Sequence, residues 1–408
     1  MMNRELPPTN GLSIQFSDLF IRSNAVDLAT RLSHLLNIPK PALTCSGTVA
    51  FIVALQTLKA RQPQRHQVII PAWTCPLVAL AIEKIGLIPV ICDLEENRLN
   101  FDIYHLQQLT NDQTLAIVVT HFAGLVSDFS LVQEIARHYQ TSIIEDAAQS
   151  MGASIQQQSV GLIGDIAFFS LAFGKGLTSG EGGVLFSKHA ELHKKLHENV
   201  QQLPILRKWE IQRCIELFGY SLLYRPATLA WIYGNPLRKA LKNHDEILAV
   251  GDDFDLNSIP IHQLGKWRNR VASNASTRLN QHWENARLRA QSRIAHLKLL
   301  PHLHIFETPI DTQATYPFFI CLVDHADLCK KIMDQLWTMG VGVTKLFVRS
   351  ISQYPVLAHI QAQTPHATDF AQRSFTISNS EFVTDVDFQI IFNVLQKTLV
   401  DEFHSILS

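Results

Sequence analysis

Apolar runs and helical patterns alternate along the first half of the chain, between about residues 45 and 190. Six short runs are rich in apolar and β-branched residues and lack polar alternation: His66–Pro71, Leu87–Asp93, Leu115–Thr120, Ser142–Asp146, Ile166–Leu171 and Gly183–Ser187. Three segments between them place apolar residues at helical spacing: Leu77–Ile85, Tyr104–Thr110 and Leu131–Tyr139. Strands buried on both faces are typical of a mostly parallel sheet covered by helices. The pattern therefore predicts an α/β fold with its ligand site at the carboxyl ends of the strands.

The pattern changes after the last of these runs. Residues 190–250 are helical and rather apolar, and residues 265–299 have the pattern of a long polar helix. A strand, a helix, a second strand and a final helix then follow: Thr315–Asp324, Ala326–Met339, Val341–Val348 and Asp385 to about His404. We predict a large α/β domain over residues 1–255 with a helical apolar insertion at about 200–250. A long connecting helix and a smaller α+β domain are predicted over residues 256–408.

Composition narrows the class of protein. Of the 408 residues, 47% are hydrophobic and 17% are charged, which is typical of a globular chain with a large core. The formal net charge of −1 gives no electrostatic argument for nucleic acid as a partner. Six scattered cysteines show neither metal-ligand nor disulfide spacing, so no metal is expected and the thiols are expected to be reduced. No leader peptide and no apolar run of about 18 residues is visible, and a cytoplasmic protein is expected.

Two short segments contain the residues of greatest chemical interest. Asp146 ends the apolar run within Ile143–Ser150, and Lys175 lies among small and apolar residues within Gly164–Gly183. An enzyme that uses pyridoxal phosphate (PLP) needs a carboxylate for the pyridinium nitrogen and a lysine for a Schiff base. Each residue also has a plainer interpretation. The Gly-Lys-Gly sequence is typical of a surface turn, and the acid can simply reach solvent where its strand ends.

A second group of residues can bind a phosphate. Ser46-Gly47-Thr48 precedes a helical pattern over Val49–Lys59. The free N–H groups of a helix N-terminus, together with two hydroxyl groups, form a suitable anion site. Ser170, five residues before the lysine, can add its hydroxyl. The alternatives are an ordinary helix cap and an ordinary serine at a strand end.

Three further residues follow predicted strand ends. Gln149 can contact the phenolic oxygen of PLP, Trp73 can stack on its ring, and His121 can face a substrate. The alternatives are an ordinary glutamine at a helix start, a buried loop aromatic and a core histidine. Other cofactors and mechanisms are not favoured, because no Walker loop, no G-x-G-x-x-G turn after a strand, and no GxSxG or HExxH motif occurs.

Taken together, these segments resemble the DegT/DnrJ/StrS family of PLP-dependent sugar aminotransferases. The matching pieces occur in the family's order over roughly residues 40–190: Ser46-Gly47-Thr48, Val68–Pro71, Pro89-Val90 with Asp93, Thr120–Gly124 with Asp128, Glu145–Gln149, Gly164-Asp165, Ser170–Lys175 and Gly180–Gly183. The second half of the chain resembles the family only loosely.

The resemblance implies a fold-type-I PLP-dependent transferase that forms a homodimer with its two active sites near the subunit interface. It implies that Lys175 carries the Schiff base and moves protons, that Asp146 binds the pyridine nitrogen, and that Gln149 contacts the phenolic oxygen. It assigns the cofactor phosphate to three residues: Gly47, Thr48 and Ser170.

The implied reaction moves an amino group from an amino acid donor, typically glutamate, to a keto group of a nucleotide-linked sugar. Some relatives carry histidine in place of the lysine and act as dehydratases, so Lys175 favours transamination. A PLP lyase or dehydratase, and a PLP-binding regulatory protein without turnover, are the alternatives.

The chain departs from the family on the substrate side. Cys75 stands where many relatives have an aromatic residue, which leaves ring stacking to Trp73, two positions earlier. Lys345–Arg349 replaces the family's His-Tyr-Pro-type substrate segment. We therefore take His121 and Arg349 as the candidate substrate residues.

The stretch 211–241 combines apolar and aromatic residues with arginines and lysines. Helices of that composition can lie in a membrane interface, and they also occur in protein cores and dimer interfaces. Peripheral membrane contact and contact with a partner subunit both remain open for this stretch.

Overall fold

The computed structural model of the chain describes residues 4–20, 26–255 and 259–407. The strands, in chain order, are β1 (Ala42–Thr44), β2 (Gln67–Pro71), β3 (Ile88–Cys92), β4 (Thr114–Thr120), β5 (Ser142–Asp146), β6 (Ser154–Ile155), β7 (Gln158–Ser159), β8 (Ile166–Ser170), β9 (Gly183–Phe186), β10 (Leu303–Ile305), β11 (Thr312–Gln313), β12 (Phe318–Val323), β13 (Val343–Thr344) and β14 (Ser374–Ser378).

Helices surround these strands. The helices before the insertion and within it are α1 (Leu28–Leu36), α2 (Gly47–Arg61), α3 (Pro76–Lys84), α4 (Ile103–Leu109), α5 (Ser130–His138), α6 (Ala190–Gln201), α7 (Arg207–Leu223), α8 (Pro226–Leu229), α9 (Asn235–Lys242) and α10 (Glu246–Val250). The later helices are α11 (Lys266–Ala275), α12 (Leu279–Leu297), α13 (Ala326–Leu336), α14 (Pro365–Arg373) and α15 (Asp385–Leu407).

A seven-stranded sheet forms the centre of the first half of the chain, in the order β1-β9-β8-β5-β4-β2-β3. The five strands from β8 to β3 are parallel, whereas β9 runs antiparallel to both β8 and β1. The six strands predicted from apolar runs are confirmed to within one residue at each end, and the three predicted helices between them correspond to α3, α4 and α5. The prediction of a mostly parallel sheet covered by helices is therefore confirmed, with β1 the one strand of this sheet that was not predicted. The short strands β6 and β7, which belong to a separate three-stranded sheet, were not predicted either.

Helix α2 lies against this sheet and is buried on nearly every side, with Val49–Leu55 almost fully inaccessible. A helix without a polar face is expected only inside a core. Its burial fixes the position of its N-terminus at the edge where β4, β5 and β8 end.

The second half of the chain builds a four-stranded antiparallel sheet in the order β10-β12-β14-β13, packed against α12, α13 and α15. The predicted long polar helix is broken into α11 and α12 by a 3₁₀ turn at Ser276–Arg278. The side chains of Ser276 and Thr277 donate hydrogen bonds to the carbonyls of Ser273 and Asn274, which competes with regular helix geometry.

The predicted strand over Val341–Val348 is wrong in its second half. The paired strand β13 covers only Val343–Thr344, since Gly340 and Gly342 turn the chain before it with positive φ angles of 74° and 80°. After β13 the chain leaves the sheet and forms a buried wall with Phe347 and Val348. Strand β14 was not predicted.

The predicted insertion at about 200–250 is helical, consisting of α7 to α10 with a π-helical turn at Ala230–Gly234. Helix α7 leaves Ile211, Ile215, Phe218 and Leu222 exposed at helical spacing, and Trp231 follows with 76% of its surface exposed. In the described ranges no helix is both long enough and apolar enough to cross a membrane. A second hydrophobic core lies between the four-stranded sheet and its helices. The end of the insertion packs into this second core through Leu237, Ala240 and Ala249. The domain boundary stays a prediction, and residue 256 lies outside the described residues.

The N-terminal segment joins the two halves. The N–H of Glu5 donates to the carbonyl of Pro226, and that of Leu6 donates to the carbonyl of Gly340. The Leu6 side chain is fully buried in the second core.

We expect Leu6→Ala to lower the free energy of unfolding by about 2–4 kcal/mol, because it deletes a fully buried side chain from a packed core. Ile310→Ala serves as the matched control, since Ile310 is 92% exposed, and should change stability by less than about 0.5 kcal/mol. Thermal unfolding followed by circular dichroism measures both variants. Equal stability of Leu6→Ala and wild type would contradict the anchoring role of this segment.

Candidate active site

A cavity of about 450 Å³ lies at the carboxyl ends of β4, β5 and β8. Six of the residues singled out in the sequence line it together: Gly47, Thr48, Asp146, Gln149, Ser170 and Lys175. The remaining three, Trp73, His121 and Arg349, do not line it.

One corner of the cavity, the donor corner, is formed by the N-terminus of α2 and the end of β8. Ser46 caps the helix, with its hydroxyl oxygen accepting the N–H of Val49 at 3.2 Å. A Cβ atom on Gly47 would lie 3.1 Å from the Cβ of Ser170, so glycine allows the helix N-terminus to approach the strand end closely. The hydroxyl of Ser170 accepts the N–H of Ala172 at 3.3 Å and keeps its own proton to donate. This corner presents hydrogen-bond donors, which suits an anion.

Asp146 is the last residue of β5 and is buried. Its Oδ1 accepts the N–H of Ala148 at 3.0 Å. Burial raises the pKa of Asp146, while the N–H of Ala148 and the charges of Lys175 and His121 oppose that rise. A cation placed in the cavity would favour the ionised carboxylate.

Lys175 lies in a loop that is shaped by two glycines and clamped by the N-terminal segment. Gly174 and Gly176 adopt φ angles of 78° and 74°, a left-handed conformation that favours glycine. The hydroxyl of Thr9 donates to the carbonyl of Gly174 at 2.8 Å, and the N–H of Leu12 donates to that of Gly176 at 2.7 Å. The Gly-Lys-Gly sequence is thus a turn, and its lysine is half-buried and lines the cavity.

The amide side chain of Gln149 is oriented by the backbone. Its Oε1 accepts the N–H of Ala123 at 2.9 Å, which leaves the NH₂ group free to donate elsewhere. Gln149 lies three residues beyond Asp146 and shares the same cavity wall.

His121 is a core residue, which corrects its candidate role toward a substrate. Its side chain is fully buried, with Nε2 2.9 Å from the carboxylate of Glu145 and Nδ1 accepting the N–H of Ser127 at 3.1 Å. Both ring nitrogens are therefore occupied by protein partners.

Trp73 is also a core residue, which corrects the expectation that it stacks on a cofactor ring. The indole is fully buried among Phe122, Phe347 and Phe370, with ring centroids 4.8–5.3 Å away. Its Nε1 donates to the carbonyl of Phe347 at 3.1 Å. Cys75, two residues after Trp73, lines the cavity instead. Burial raises the pKa of the Cys75 thiol to about 12.

Arg349 lies outside the cavity, so its expected position is also corrected. The segment that contains it forms a wall: Leu346 and Phe347 face the cavity, whereas Lys345 and Arg349 line a separate cleft. The guanidinium of Arg349 donates to the carbonyl of Gln353 at 3.3 Å.

Two lining residues were not among the predicted site residues. Thr120 ends β4, and its buried hydroxyl has no hydrogen-bond partner among the described residues. Asp252 follows the insertion and is only 6% exposed; its Oδ2 accepts the hydroxyl proton of Tyr354 at 2.6 Å. Burial raises the pKa of Asp252 to about 7, an effect that Tyr354 and the charge of Lys175 oppose.

The insertion also stabilises the glycine turn at Gly180–Gly183. Arg213 of α7 pairs with Glu181 at 2.7 Å. Arg268 of α11 is fully buried, binds the carboxylate of Glu210, and donates to the carbonyl of Ser179 at 3.1 Å. Burial raises the pKa of Glu181, whose side chain also lines the cavity.

Most of the charged side chains that line the cavity are acidic. Within the described part of the chain, Lys175 is the single cationic lining residue, facing three carboxyl groups: Asp146, Glu181 and Asp252. A ligand that brings both a cationic group and a phosphate group would match the carboxylates and the donor corner respectively.

Comparisons with known proteins identify a family that the first half of the chain resembles. Residues 22–218 match the profile of the DegT/DnrJ/EryC1/StrS aminotransferase family. The chain is 34% identical over 152 residues to UDP-N-acetyl-3-dehydro-alpha-D-glucosamine 3-aminotransferase of Acidithiobacillus ferrooxidans, which covers 37% of this chain and 41% of that protein. It is 32% identical over 158 residues to GDP-perosamine synthase of Caulobacter vibrioides, covering 38% and 42% respectively. The chain therefore matches about two fifths of the length of these relatives.

The fold extends over the whole length of a solved structure. The chain superimposes on a putative sugar aminotransferase, Spr1654 of Streptococcus pneumoniae, with a TM-score of 0.74. The match covers 99% of this chain and 100% of that one at 15% sequence identity. The chain accordingly has the fold of these transferases, as predicted.

We expect Asp252→Asn to become more stable relative to wild type as the pH rises. The pKa of Asp252 is about 7 in the folded chain against an ordinary value of 3.8, so wild type loses stability as the pH rises through this window. Between pH 5 and pH 8 the difference in melting temperature should grow in favour of the variant by about 2 °C. Asp112→Asn is the control, because Asp112 is exposed and is not among the groups that shift the pKa of Asp252. A difference that is independent of pH would contradict a buried, protonatable Asp252.

Proposed function

We propose that the chain, whose residues 22–218 match the profile of the DegT/DnrJ/EryC1/StrS aminotransferase family, is a PLP-dependent aminotransferase of this family acting on a keto sugar. The observation that carries the proposal is the convergence of Lys175 and Asp146 on one cavity beside the donor corner of Gly47 and Ser170. The relative from Acidithiobacillus ferrooxidans is a 3-aminotransferase of a UDP-linked dehydro sugar. That relative supports a nucleotide-linked keto sugar as the acceptor, with an amino acid such as glutamate as the donor.

The donor corner fits the phosphate of PLP. The first N–H groups of α2, at Gly47 and Thr48, lack helical acceptors, and the hydroxyl of Ser170 lies beside them. These groups would bind the phosphate through charge-assisted hydrogen bonds. Any larger residue at Gly47 would separate the helix from Ser170 and open the corner.

The opposite side of the cavity fits the ring of PLP. Asp146 is a buried carboxylate without an ion-pair partner in the described ranges, and a protonated ring nitrogen would provide one. The free NH₂ group of Gln149 would donate to the phenolic oxygen. When bound, PLP supplies an electron sink for the carbon that gains or loses the amino group.

Lys175 would do two tasks. It would attach the cofactor covalently, and its Nζ, once released, would take a proton from the donor carbon and return one to the acceptor carbon. Both tasks need the lysine at a fixed position with part of its surface removed from water. The two positive-φ glycines and the clamp from Thr9 provide that position.

We further propose a homodimer that acts in the cytoplasm. The exposed apolar face of α7, formed by Ile211, Ile215, Phe218 and Leu222, supports contact with a second subunit. Peripheral membrane contact through residues 211–241 is the competing proposal for the same face. The six cysteines are all unpaired, which supports a reducing compartment.

We expect the purified protein to turn yellow with PLP and to bleach when L-glutamate is added, with 2-oxoglutarate released in proportion. Lys175→Ala should lose the borohydride-reducible attachment of PLP, because no other lining residue that the structure describes offers an amine. Mass spectrometry of the reduced protein locates the attachment. Lys194→Ala, an exposed control on α6, should retain it.

Colour without bleaching would instead favour a PLP-binding protein without turnover. A keto acid released together with ammonia would favour a lyase or dehydratase. A covalent attachment that survives in Lys175→Ala would exclude the assigned role of this lysine.

Asp146→Asn should slow bleaching by L-glutamate by about a hundredfold or more, because a neutral amide cannot keep the ring nitrogen protonated. The variant preserves the shape of the side chain, so the far-UV spectrum and PLP attachment should remain. Stopped-flow absorbance measures the rate, with exposed Asp112→Asn as the control. Bleaching at the wild-type rate would refute the ring-nitrogen role of Asp146.

A further inference from the structure

A second cleft, of about 650 Å³, lies between the insertion and the small domain. Helices α9 and α10 form one side, and α13 with the segment after β13 forms the other. Five cationic side chains line it: Arg238, Lys242, Lys330, Lys345 and Arg349. Glu246 and Asp334 are the two acidic lining residues, so the lining carries a net charge of +3 with His244 counted as neutral.

Most of this positive charge is not neutralised by the protein. Arg238 pairs with Glu5 at 2.7 Å. By contrast, Lys242, Lys330 and Lys345 form no ion pair with any residue that the structure describes. Like charges gathered around one cleft repel each other, and that repulsion is relieved when a polyanion binds.

The cleft also has an apolar floor. Leu241, Met333 and Trp337 line it between the cationic groups. The indole of Trp337 is held in place because its Nε1 donates to the hydroxyl of Thr344 at 3.1 Å. A ligand that fits both features carries two or more phosphate charges on an organic group able to pack against side chains.

The cleft is separate from the candidate active site but shares a wall with it. Lys345 and Arg349 face the cleft, while Leu346 and Phe347, between them in the chain, face the cavity of Lys175. The departure from the family at Lys345–Arg349 therefore has a structural counterpart in this cleft.

We propose that this cleft is a second ligand site, which binds a diphosphate group carried on an organic moiety. Lys242 and Lys345 bind the phosphates from opposite sides, with Lys330 and Arg349 adding charge. The apolar floor receives the organic part, and a nucleoside diphosphate has this combination. A diphosphate or phosphate headgroup of a lipid shares the same anionic chemistry.

Isothermal titration of the PLP-loaded protein with UDP and with inorganic pyrophosphate tests the site. We expect the double variant Lys242→Gln, Lys345→Gln to weaken the binding of UDP at least about tenfold, because it removes two charge-assisted contacts. Lys239→Gln is the matched control: this lysine lies on the same helix and is exposed but does not line the cleft. The control should change the dissociation constant less than about twofold, and raised salt should weaken wild-type binding.

The two sources of the diphosphate are separated by a second measurement. Tighter binding of UDP than of pyrophosphate, lost in the double variant, supports a nucleotide in the cleft. Sedimentation with vesicles that contain phosphatidic acid, but not with phosphatidylcholine vesicles, supports a lipid headgroup if the double variant abolishes it. Anion binding that is unchanged in the double variant, equally weakened in Lys239→Gln, or absent from wild type overturns the proposal. All of these outcomes can be read in the absence of turnover, so they do not depend on the proposed function.

Discussion

Glu145 carries its carboxylate into the interior at the end of β5, and the geometry of the active site depends on how that charge is satisfied. The N–H groups of Gly161, Ile163 and Gly164 donate to it at 2.5–2.8 Å, and His121 lies 2.9 Å away. A buried charge is tolerated only when it is this fully hydrogen-bonded. These bonds tie the end of β4 and the approach to β8 to the end of β5. Since successive strand residues face opposite sides of a sheet, fixing Glu145 on one face directs Asp146 to the other, where the cavity lies.

The insertion extends this arrangement from the opposite side. Asp252, directly after the insertion, adds an acidic group to the cavity. The insertion itself supports the glycine turn that follows Lys175, because Arg213 pairs with Glu181 and Glu210 binds Arg268, which donates to carbonyls of the turn. Helix α9 of the insertion supplies one side of the second cleft. A segment whose outer face is apolar and exposed thus has an inner face that borders the cavity and the second cleft. This division explains how α7 combines apolar residues with a cationic one: Arg213 is directed inward to Glu181, while Ile211 and Ile215 remain outside.

The parallel sheet, and the position of six of the nine candidate residues around one cavity, could be predicted because both depend on local sequence patterns. Buried strands are continuous apolar runs, and Gly47, Asp146 and Ser170 lie at helix or strand ends where parallel folds place ligands. The three failures share one cause, which is that the direction of a side chain depends on distant packing. Trp73 is turned into the core by three phenylalanines from separate elements, and His121 by a carboxylate on a neighbouring strand. Asp252 could not be found at all, because its partner, Tyr354, is about a hundred positions away and no motif surrounds it.

The cavity of Lys175 and the second cleft differ in the charges that line them. The cavity of Lys175 gathers three carboxyl groups and one cation, and its corner at Gly47, Thr48 and Ser170 presents the hydrogen-bond donors that suit an anion. The cations that an anionic, nucleotide-linked ligand requires are instead on the far side of the wall formed by Leu346 and Phe347. Phe347, which lies between Lys345 and Arg349 in the chain, lines the cavity and accepts the indole N–H of Trp73 with its carbonyl, so the wall between the cavity and the cleft is anchored in the core.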